Sequence, residues 1–371
     1  MKRSLFVVAL LTCAVLLTLI SGRVASRAYA KPKPKGLEVK AMSVKSHTLA
    51  SRFPGGEGAM SAKAWKRLVP GARDVTLPSS SDGSAQRAMF FDSGSSAEKP
   101  LLVVLHSWST DYRQNIGIPY ALHAAKKDWV FIHPNFRGPN RNAAAGVSDL
   151  VTSDILDAVE YAKRHARVDT NRIYLAGFSG GGLAALAMAG RHPDMWAGVV
   201  AWCPIHDIVD WYRENVAHVP RRHYVGNIEA VCGGAPRAGT KAFTECKRRS
   251  PSAVLERARQ AGVPMYIAAG VRDDIVYPRH AIAAFNQLAI AADQLADDFL
   301  PKLKSSTRPA SLRSPAGELD PYALAGTPVR ASRTSGNTTL VLFDGGHDVV
   351  YDAGFAWLEG KRRIAQKRVA P

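Results

Sequence analysis

The chain has 371 residues, of which 46% are hydrophobic and 22% charged, a globular composition that excludes a disordered, collagen-like or coiled-coil protein. Its 49 Lys and Arg residues outnumber 31 Asp and Glu residues, and the resulting formal charge of +18 suggests an anionic partner such as an envelope or wall polymer. No zinc-finger spacing or aromatic RNA-binding signature accompanies the basic residues, so we expect no specific nucleic-acid binding.

The first predicted element is an export signal in residues 1–30. Two basic residues precede the apolar run Leu5 to Ile20, and Ala28-Tyr29-Ala30 has the small-x-small pattern of a cleavage site. The apolar run is shorter than the roughly 20 residues that span a bilayer. An uncleaved membrane anchor at residues 5–20 stays open as an alternative to a secreted or periplasmic protein.

Residues 31–70 are predicted to form a basic linker or arm ahead of a catalytic domain at 71–371. Alternating Lys and Pro in residues 31–36 favour an extended, charged tether. Two apolar runs, Val75 to Leu77 and Ala88 to Phe91, then flank a turn-rich Ser-Asp-Gly-Ser sequence. This arrangement predicts an antiparallel hairpin at the edge of a sheet.

Beyond the hairpin, apolar runs alternate with amphipathic stretches, which is typical of an α/β protein with a mostly parallel sheet and helices on both faces. The runs that predict buried strands are Leu101 to Leu105, Trp129 to Ile132, Ile173 to Ala176, Val199 to Trp202, Met265 to Ala269 and Leu340 to Phe343. Helical spacing occurs in Val151 to Ala162, Leu183 to Ala189, His280 to Leu288 and Ala353 to Ile364. A polar stretch at about 294–336 is interpreted as an insertion.

Three cysteines follow the predicted signal. Cys232 and Cys246 lie in a segment rich in Gly, Pro and Lys, interpreted as a loop, and we expect them to form a disulfide, since export permits one. Closing so small a ring is worth about 3 kcal/mol in the chain-entropy estimate. Cys203 ends an apolar run and is interpreted as a buried thiol rather than a nucleophile.

The strongest chemical signal is Gly177-Phe178-Ser179-Gly180-Gly181, between a predicted strand and a predicted helix. A sharp strand-to-helix turn with glycines on both sides of Ser179 is the pattern of a nucleophile elbow. The helix N-terminus favours developing negative charge, and the Gly180 N–H is a candidate oxyanion donor. Ser179 is therefore the predicted nucleophile.

A serine nucleophile needs a base and an orienting carboxylate, which in this architecture follow it in the order Ser, acid, His. The strand ending at Ala269 runs into Gly270-Val271-Arg272-Asp273-Asp274, and the last strand runs into Asp344-Gly345-Gly346-His347. We predict Asp273 as the acid, with Asp274 in reserve, and His347 as the base.

A second oxyanion donor is expected after the strand Leu101 to Leu105, and the backbone N–H of Trp108 is the candidate. His106 precedes the nucleophile in the chain, so we expect it to hold this loop by hydrogen bonding. The turn-rich tract from His133 to Asn140 follows another strand at the same edge and is a candidate pocket wall.

These residues resemble a known family. Val168 to Gly181, Asn135 to Gly138, Gly270-x-x-Asp273-x-x-Val276 and Gly345-Gly346-His347 are similar to the motifs of prolyl oligopeptidase-type serine peptidases and, more broadly, of α/β-hydrolases including acetyl xylan esterases. The likeness runs from about Val75 to Leu358. It implies an α/β-hydrolase fold with Ser179, Asp273 and His347 as a catalytic triad.

Two departures accompany the resemblance. The family often has His-Gly-Gly or His-Gly-x at the oxyanion loop, whereas His106 is followed by Ser107 and Trp108 here. The stretch between the predicted signal and the first strand is also too short for the N-terminal β-propeller of the larger peptidases.

The sequence thus predicts an exported serine hydrolase that works through an acyl-enzyme and prefers esters of carbohydrates or similar polar carriers. A prolyl oligopeptidase-like peptidase and a non-catalytic envelope-binding protein on the same fold are the alternatives. No metal-ligand cluster, Rossmann glycine-rich loop or P-loop occurs in the sequence, so we expect no metal and no cofactor. Oligomeric state leaves no signal in the sequence.

Overall fold

The computed structural model describes residues 58–305 and 321–363, all within the larger of two units of the chain, Ala41–Pro371. The predicted signal, the alternative anchor at residues 5–20 and most of the basic arm lie outside the described residues. Among the described residues, no helix combines the length and the apolar character needed to cross a membrane.

Nine strands form one mixed sheet in the order β1-β2-β4-β3-β5-β6-β7-β9-β8. Their bounds are β1 Arg73–Pro78, β2 Ala85–Phe91, β3 Lys99–Leu105, β4 Val130–Pro134, β5 Val168–Phe178, β6 Gly198–Trp202, β7 Met265–Gly270, β8 Val329–Ser335 and β9 Thr338–Phe343. The six strands from β4 to β9 in this order pair in parallel, and antiparallel pairs occur only towards the two edges. The predicted edge hairpin is β1–β2.

The central strands are buried from end to end. Every residue of β3, β4, β6 and β7 is buried, which is why these strands have continuous apolar runs rather than alternating ones. The six strands predicted from these runs are all present.

Twelve α-helices are found in the described residues: α1 Ala62–Leu68, α2 Gly117–Lys127, α3 Asp149–His165, α4 Gly180–Arg191, α5 Ile208–Ala217, α6 Tyr224–Cys232, α7 Lys241–Arg249, α8 Leu255–Gln260, α9 Arg279–Leu288, α10 Phe299–Ser305, α11 Pro321–Leu324 and α12 Tyr351–Glu359. The four predicted helices correspond to α3, α4, α9 and α12. Helix α12 ends at Glu359 with Gly360 as its cap, earlier than predicted.

The helices cover both faces of the sheet. The strand order reverses beside β3, and because parallel crossovers are right-handed, α2 and α3 fall on opposite faces. Helix α2 packs against α12 on one face, and α4 packs against α8 on the other. The predicted α/β class is therefore confirmed, and the reversal falls between β3 and β5, the kind of switch point at which open α/β sheets bind ligands outside the carboxyl ends of the strands.

The structure differs from the sequence prediction at both ends of the domain. Residues 62–68 of the predicted arm form α1, capped by the Ser61 side chain and anchored by Trp65, which is fully buried. The last part of the predicted insertion is β8, which pairs with β9 along the sheet edge. The strand was not predicted because only alternate residues face the core, so its sequence has no continuous apolar run. Residues 306–320 of the insertion lie outside the described residues.

A helical cap, residues 207–250, joins β6 to the segment before β7. Asp207 and Thr240 cap α5 and α7 with their side chains, and Gly233 ends α6 in a left-handed conformation. Cys232 and Cys246 form the expected disulfide, but they lie on α6 and α7 rather than in a loop. The helices of the cap are 9 or 10 residues long. They were not predicted because a helix shorter than about 12–15 residues is only marginally stabilised by its own sequence.

Candidate active site

Ser179 lies at the turn between β5 and α4, with a backbone φ of 58°. This left-handed conformation is unfavourable for a residue with a side chain and persists where its surroundings enforce it. A Cβ added to Gly177 would lie 2.1 Å from the Gly181 O, and one added to Gly181 would lie 2.2 Å from the Leu105 O. The two glycines thus allow the close backbone approach of an elbow, as the motif predicts.

Asp273 and His347 lie at the carboxyl ends of β7 and β9, and Asp273 Oδ2 is 2.7 Å from His347 Nδ1. Asp273 Oδ1 accepts the N–H groups of Ile275 and Val276 at 2.9 and 3.0 Å. With Nδ1–H donating to the carboxylate, the other ring nitrogen of His347 is left as a proton acceptor. The imidazole lies against Phe178, with ring centroids 4.5 Å apart, next to the residue that precedes Ser179 in the turn.

Asp274, the reserve acid, points away from this pair. Its side chain is 75% exposed and lies 4.0 Å from the Arg222 guanidinium. The structure therefore brings Asp273, and not Asp274, to His347.

The Trp108 amide lies beside the elbow. A Cβ added to Gly180 would be 2.5 Å from Trp108 N, so the two candidate oxyanion donors are neighbours. The preceding amide, Ser107 N–H, donates to Gln114 Oε1 at 2.8 Å, whereas the Trp108 amide has no acceptor among the described residues. Trp108 N–H is thus the better candidate of the two amides.

Side chains from the tract at 133–140 hold the oxyanion loop, residues 105–109. His106 stacks on Phe136 with ring centroids 3.9 Å apart, and its Nε2 donates to Asn135 O at 2.6 Å. Burial lowers the pKa of His106, so this imidazole stays neutral. Trp108 O accepts two hydrogen bonds from Asn140, one from its backbone N–H at 2.9 Å and one from its Nδ2 at 3.3 Å. The tract therefore supports the oxyanion loop, and its place in the pocket wall stays a prediction.

The helical cap adds an aromatic wall that sequence reasoning missed. The rings of Trp108 and Trp211 meet edge to face at 4.9 Å, and Trp211 lies 5.0 Å from Tyr224. Trp211 Nε1 also donates to Ile275 O, in the loop that holds the candidate acid. The sequence feature that indicates helix α5 is Asp207, an N-cap residue directly before an amphipathic stretch.

One group of potential metal ligands coincides with the candidate site. Cys203, Asp273 and His347 place one ligand atom each within 4.8 Å of one another. Burial, followed by the charge of Asp273, raises the pKa of the Cys203 thiol well above its usual value, so the sulfur keeps the proton that a metal would have to displace. Metal-free chemistry stays a prediction.

A cavity of about 860 Å³ opens at the opposite end of the sheet. Pro264, Asn337 and Lys361 are among its lining residues, near the amino ends of β7 and β9 and the end of α12. It contains none of the predicted site residues, so it is separate from the elbow.

The model of the prolyl oligopeptidase family matches residues 122–300, just under half of the chain. The matched range includes Ser179 and Asp273, and His347 lies beyond it. The match confirms the resemblance inferred from the motifs and supports the serine hydrolase class that follows from it. None of the curated proteins matches the sequence.

Solved structures similar to this chain include peptidases and an esterase. The Pyrococcus horikoshii acylaminoacyl peptidase is 16% identical with a TM-score of 0.47, and 58% of this chain covers 34% of that one. Prolyl oligopeptidase B from Galerina marginata is 14% identical with a TM-score of 0.48, at 58% and 31% coverage. A thermostable esterase is 12% identical with a TM-score of 0.44, at 80% and 64% coverage. The chain spans about a third of the length of these two peptidases.

Proposed function

We propose that this protein is an exported serine hydrolase in which Ser179 is the nucleophile, His347 the general base and Asp273 the residue that orients the base. The observation that carries the proposal is the buried Asp273 Oδ2–His347 Nδ1 contact at 2.7 Å, with the imidazole packed beside the elbow. Such a contact fixes the tautomer and stabilises the imidazolium that forms during acyl transfer.

In the proposed reaction, Nε2 of His347 takes the proton of the Ser179 hydroxyl as the oxygen attacks the acyl carbon. The N–H groups of Gly180 and Trp108 stabilise the oxyanion, and the N-terminus of α4 adds a favourable field. His347 then protonates the leaving group, which departs and leaves an acyl-enzyme. Water, activated by the same imidazole, releases the acid and restores Ser179.

We infer that the substrates are esters with small acyl groups. Ser179 is only 6% exposed and His347 only 8%, and the Trp108–Trp211 pair stands beside the oxyanion donors. Such restricted access suits a short acyl chain. An amide also demands more binding energy from remote contacts than an ester with a good leaving group. An acylated carbohydrate carrier is a suitable leaving group, and an anionic polymer would complement the formal charge of +18.

Two observations support export. The first thirty residues have the pattern of a secretory signal, and the described domain contains a disulfide between Cys232 and Cys246. Structural disulfides persist in oxidising compartments outside the cytosol.

A prolyl oligopeptidase-like peptidase is the second candidate, and the family match favours it. The test compares kcat/KM for p-nitrophenyl acetate, acetylated xylan and a set of aminoacyl and prolyl p-nitroanilides with the purified exported protein. We expect the acetate esters to be cleaved more efficiently than every anilide. If any anilide exceeds all esters, the peptidase assignment replaces the esterase assignment.

Active-site labelling distinguishes a serine hydrolase from the non-catalytic alternative. A small serine-directed phosphonate should modify Ser179 and no other residue, as read by mass spectrometry of a digest. A chain that binds an acidic polysaccharide but neither reacts with the phosphonate nor hydrolyses any ester would be a binding protein.

A further inference from the structure

Trp211 lies where the helical cap meets two loops of the candidate site. It belongs to α5 and is fully buried, so its ring presents no surface to a substrate. The ring meets that of Trp108 edge to face, with centroids 4.9 Å apart, and its Nε1–H donates to Ile275 O at 3.0 Å. One side chain therefore contacts both the oxyanion loop and the acid loop, residues 271–276.

On the acid loop, the contact falls on the residue that fixes the candidate acid. Ile275 N–H donates to Asp273 Oδ1 at 2.9 Å, and the carbonyl of Ile275 accepts the Trp211 indole N–H. The Arg222 guanidinium is a second, longer donor to that carbonyl, at 3.3 Å. Because Ile275 is held at both its N–H and its C=O, it holds Asp273 Oδ1 in place and so sets the direction of Oδ2, which faces His347.

On the oxyanion loop, the contact falls on the residue whose amide is the candidate donor. Trp108 O is fixed by two hydrogen bonds from Asn140, and the Trp108 ring is fixed by Trp211. Edge-to-face contact is a preferred arrangement of two aromatic rings, so the pair resists rotation of the Trp108 residue. The Trp108 N–H, beside Gly180, therefore keeps its direction.

Helix α5 gives Trp211 a fixed base. At the N-terminus of the helix, the Asp207 carboxylate accepts hydrogen bonds from Lys247 Nζ at 2.6 Å and Ser252 Oγ at 2.7 Å. Near the other end, the buried Glu214 carboxylate lies 3.2 Å from His280 Nε2 of α9. Both ends of α5 are thus tied to neighbouring elements, and the cap sets the position of the Trp211 ring.

We propose that Trp211 is a positioning residue that holds the acid loop and the oxyanion loop at a fixed distance from each other. The Asp273 carboxylate and the Trp108 amide then keep their places around the elbow at the same time. The inference rests on the proposed function, since it concerns the acid and the oxyanion donor of that site. Trp211 takes no part in bond making and acts through Ile275 and Trp108.

The two contacts can be removed in steps. Trp211→Phe keeps an aromatic ring beside Trp108 but lacks the indole N–H, so Ile275 O retains only the longer bond from Arg222. Trp211→Leu removes the aromatic ring as well. On p-nitrophenyl acetate we expect kcat to fall about threefold in the Phe variant and about thirtyfold in the Leu variant, since misplaced groups slow the chemical step. KM should change less than twofold, because the buried ring does not bind the substrate.

Two further measurements identify the loop that has moved. The ester-to-thionoester rate ratio reports the oxyanion donors, and it should drop in Trp211→Leu and stay unchanged in Trp211→Phe. The acidic limb of the pH–rate profile reports the acid. It should move down by about half a pH unit in both variants, because a carboxylate that is held less closely stabilises the His347 imidazolium less.

The ionisable groups around His347 are the same in both variants. They include Asp273, Cys203, Arg272, Asp344, Arg222, Asp274 and Asp348. A shift of the acidic limb therefore reports a change in geometry rather than a change in charge.

Trp196 provides the matched controls. It is 1% exposed, its Nε1 donates to Met188 O at 3.1 Å, and it precedes β6 at the end of the sheet opposite the elbow. Trp196→Phe and Trp196→Leu thus make the same changes in size and hydrogen bonding away from the site. They should lower the unfolding midpoint, as the Trp211 variants do, and leave kcat, the rate ratio and the acidic limb unchanged.

Phosphonate labelling of Ser179 in the natural protein is measured first. If that label fails, the proposed function falls. If labelling succeeds, a Trp211→Leu variant that keeps the natural rate ratio and acidic limb, or that shifts only one of them, refutes the positioning role of Trp211 alone. Trp211→Phe is the milder change and keeps the test valid if the Leu variant folds poorly, since an unmoved acidic limb in it also refutes the proposal.

Discussion

The nucleophile elbow and the oxyanion loop touch each other, yet they are held in different ways. The elbow is shaped by its own five residues, whose glycines allow backbone atoms to approach where a Cβ would collide. The oxyanion loop is held by side chains that come from elsewhere in the chain, chiefly Gln114 and Asn140. A turn built from contiguous residues is therefore visible in a short motif, whereas a loop held by distant residues is not.

The largest effect is expected at the elbow itself. Ser179→Ala should reduce ester hydrolysis by several orders of magnitude and leave the fold intact, because the residues of a triad act as a unit. Steady-state rates and the thermal unfolding midpoint are the two measurements. Full retention of ester hydrolysis in the purified variant would remove Ser179 from the mechanism.

Gly181 is where the elbow meets the oxyanion loop, and its substitution should cost stability. A Cβ at this position would lie 2.2 Å from Leu105 O and 2.7 Å from His106 O, both backbone atoms that cannot rotate away. We expect Gly181→Ala to lower the free energy of unfolding by about 3 kcal/mol, at the upper end of ordinary overpacking. Denaturant titration measures it.

Gly226→Ala is the control for this substitution, since a Cβ there meets nothing within 4 Å and the residue lies inside α6. It should be neutral or stabilise by up to about 1 kcal/mol. A Gly181→Ala variant as stable as Gly226→Ala would mean that the elbow tolerates a side chain at Gly181.

The same contrast explains how much could be predicted from the sequence. The elbow, the parallel strands and the order Ser179, Asp273, His347 follow from contiguous patterns and from a known architecture. The contact that separates Asp273 from Asp274 is between loops far apart in the chain, so two adjacent aspartates could only be ranked. The helical cap was missed because its helices are short and its Trp211 finds a partner, Trp108, on another loop. Strand β8 was missed because its exposed positions are basic and polar.

The helical cap can be destabilised without changing any residue of the elbow. Removing the α6–α7 disulfide with the double substitution Cys232→Ser and Cys246→Ser should lower the free energy of unfolding by about 3 kcal/mol. A reductant should lower the unfolding midpoint of the natural protein and leave that of the double variant unchanged. If the double variant unfolds at the natural midpoint, the disulfide does not stabilise the cap.

The oxyanion loop and the loop after β9 contain histidines with different expected roles. Burial lowers the pKa of His106, which favours its neutral form. A protonated imidazole has no lone pair with which to accept a proton. Activity should therefore fall about tenfold per pH unit on the acidic limb of the pH profile, as His347 loses the ability to accept the Ser179 proton. A rate on acetyl esters that is flat down to pH 4 would exclude His347 as an essential base.

The smallest effect is expected at Asn140. This substitution distinguishes the contribution of the oxyanion loop from that of the elbow most directly. Asn140→Ala removes the Nδ2 contact with Trp108 O and the Oδ1 acceptor of Gly146 N–H, while the backbone contact at 2.9 Å stays. The Trp108 amide is thus displaced rather than lost, and we expect kcat to fall about tenfold, less than the hundredfold or more that follows from deleting an oxyanion donor.

Asn142→Ala is the control in the same loop. The Asn142 side chain caps the amides of Ala144 and Ala145, and its removal should leave kcat within twofold. An ester and its thionoester analogue, compared on both variants, distinguish a poorer oxyanion site from a general loss of structure. Backbone N–H groups stabilise an oxyanion better than the larger sulfur anion, so the ester-to-thionoester rate ratio should drop in Asn140→Ala and stay unchanged in Asn142→Ala. An unchanged ratio in both would mean that the Trp108 amide does not contact the developing charge, and the second donor would then have to come from outside residues 105–109.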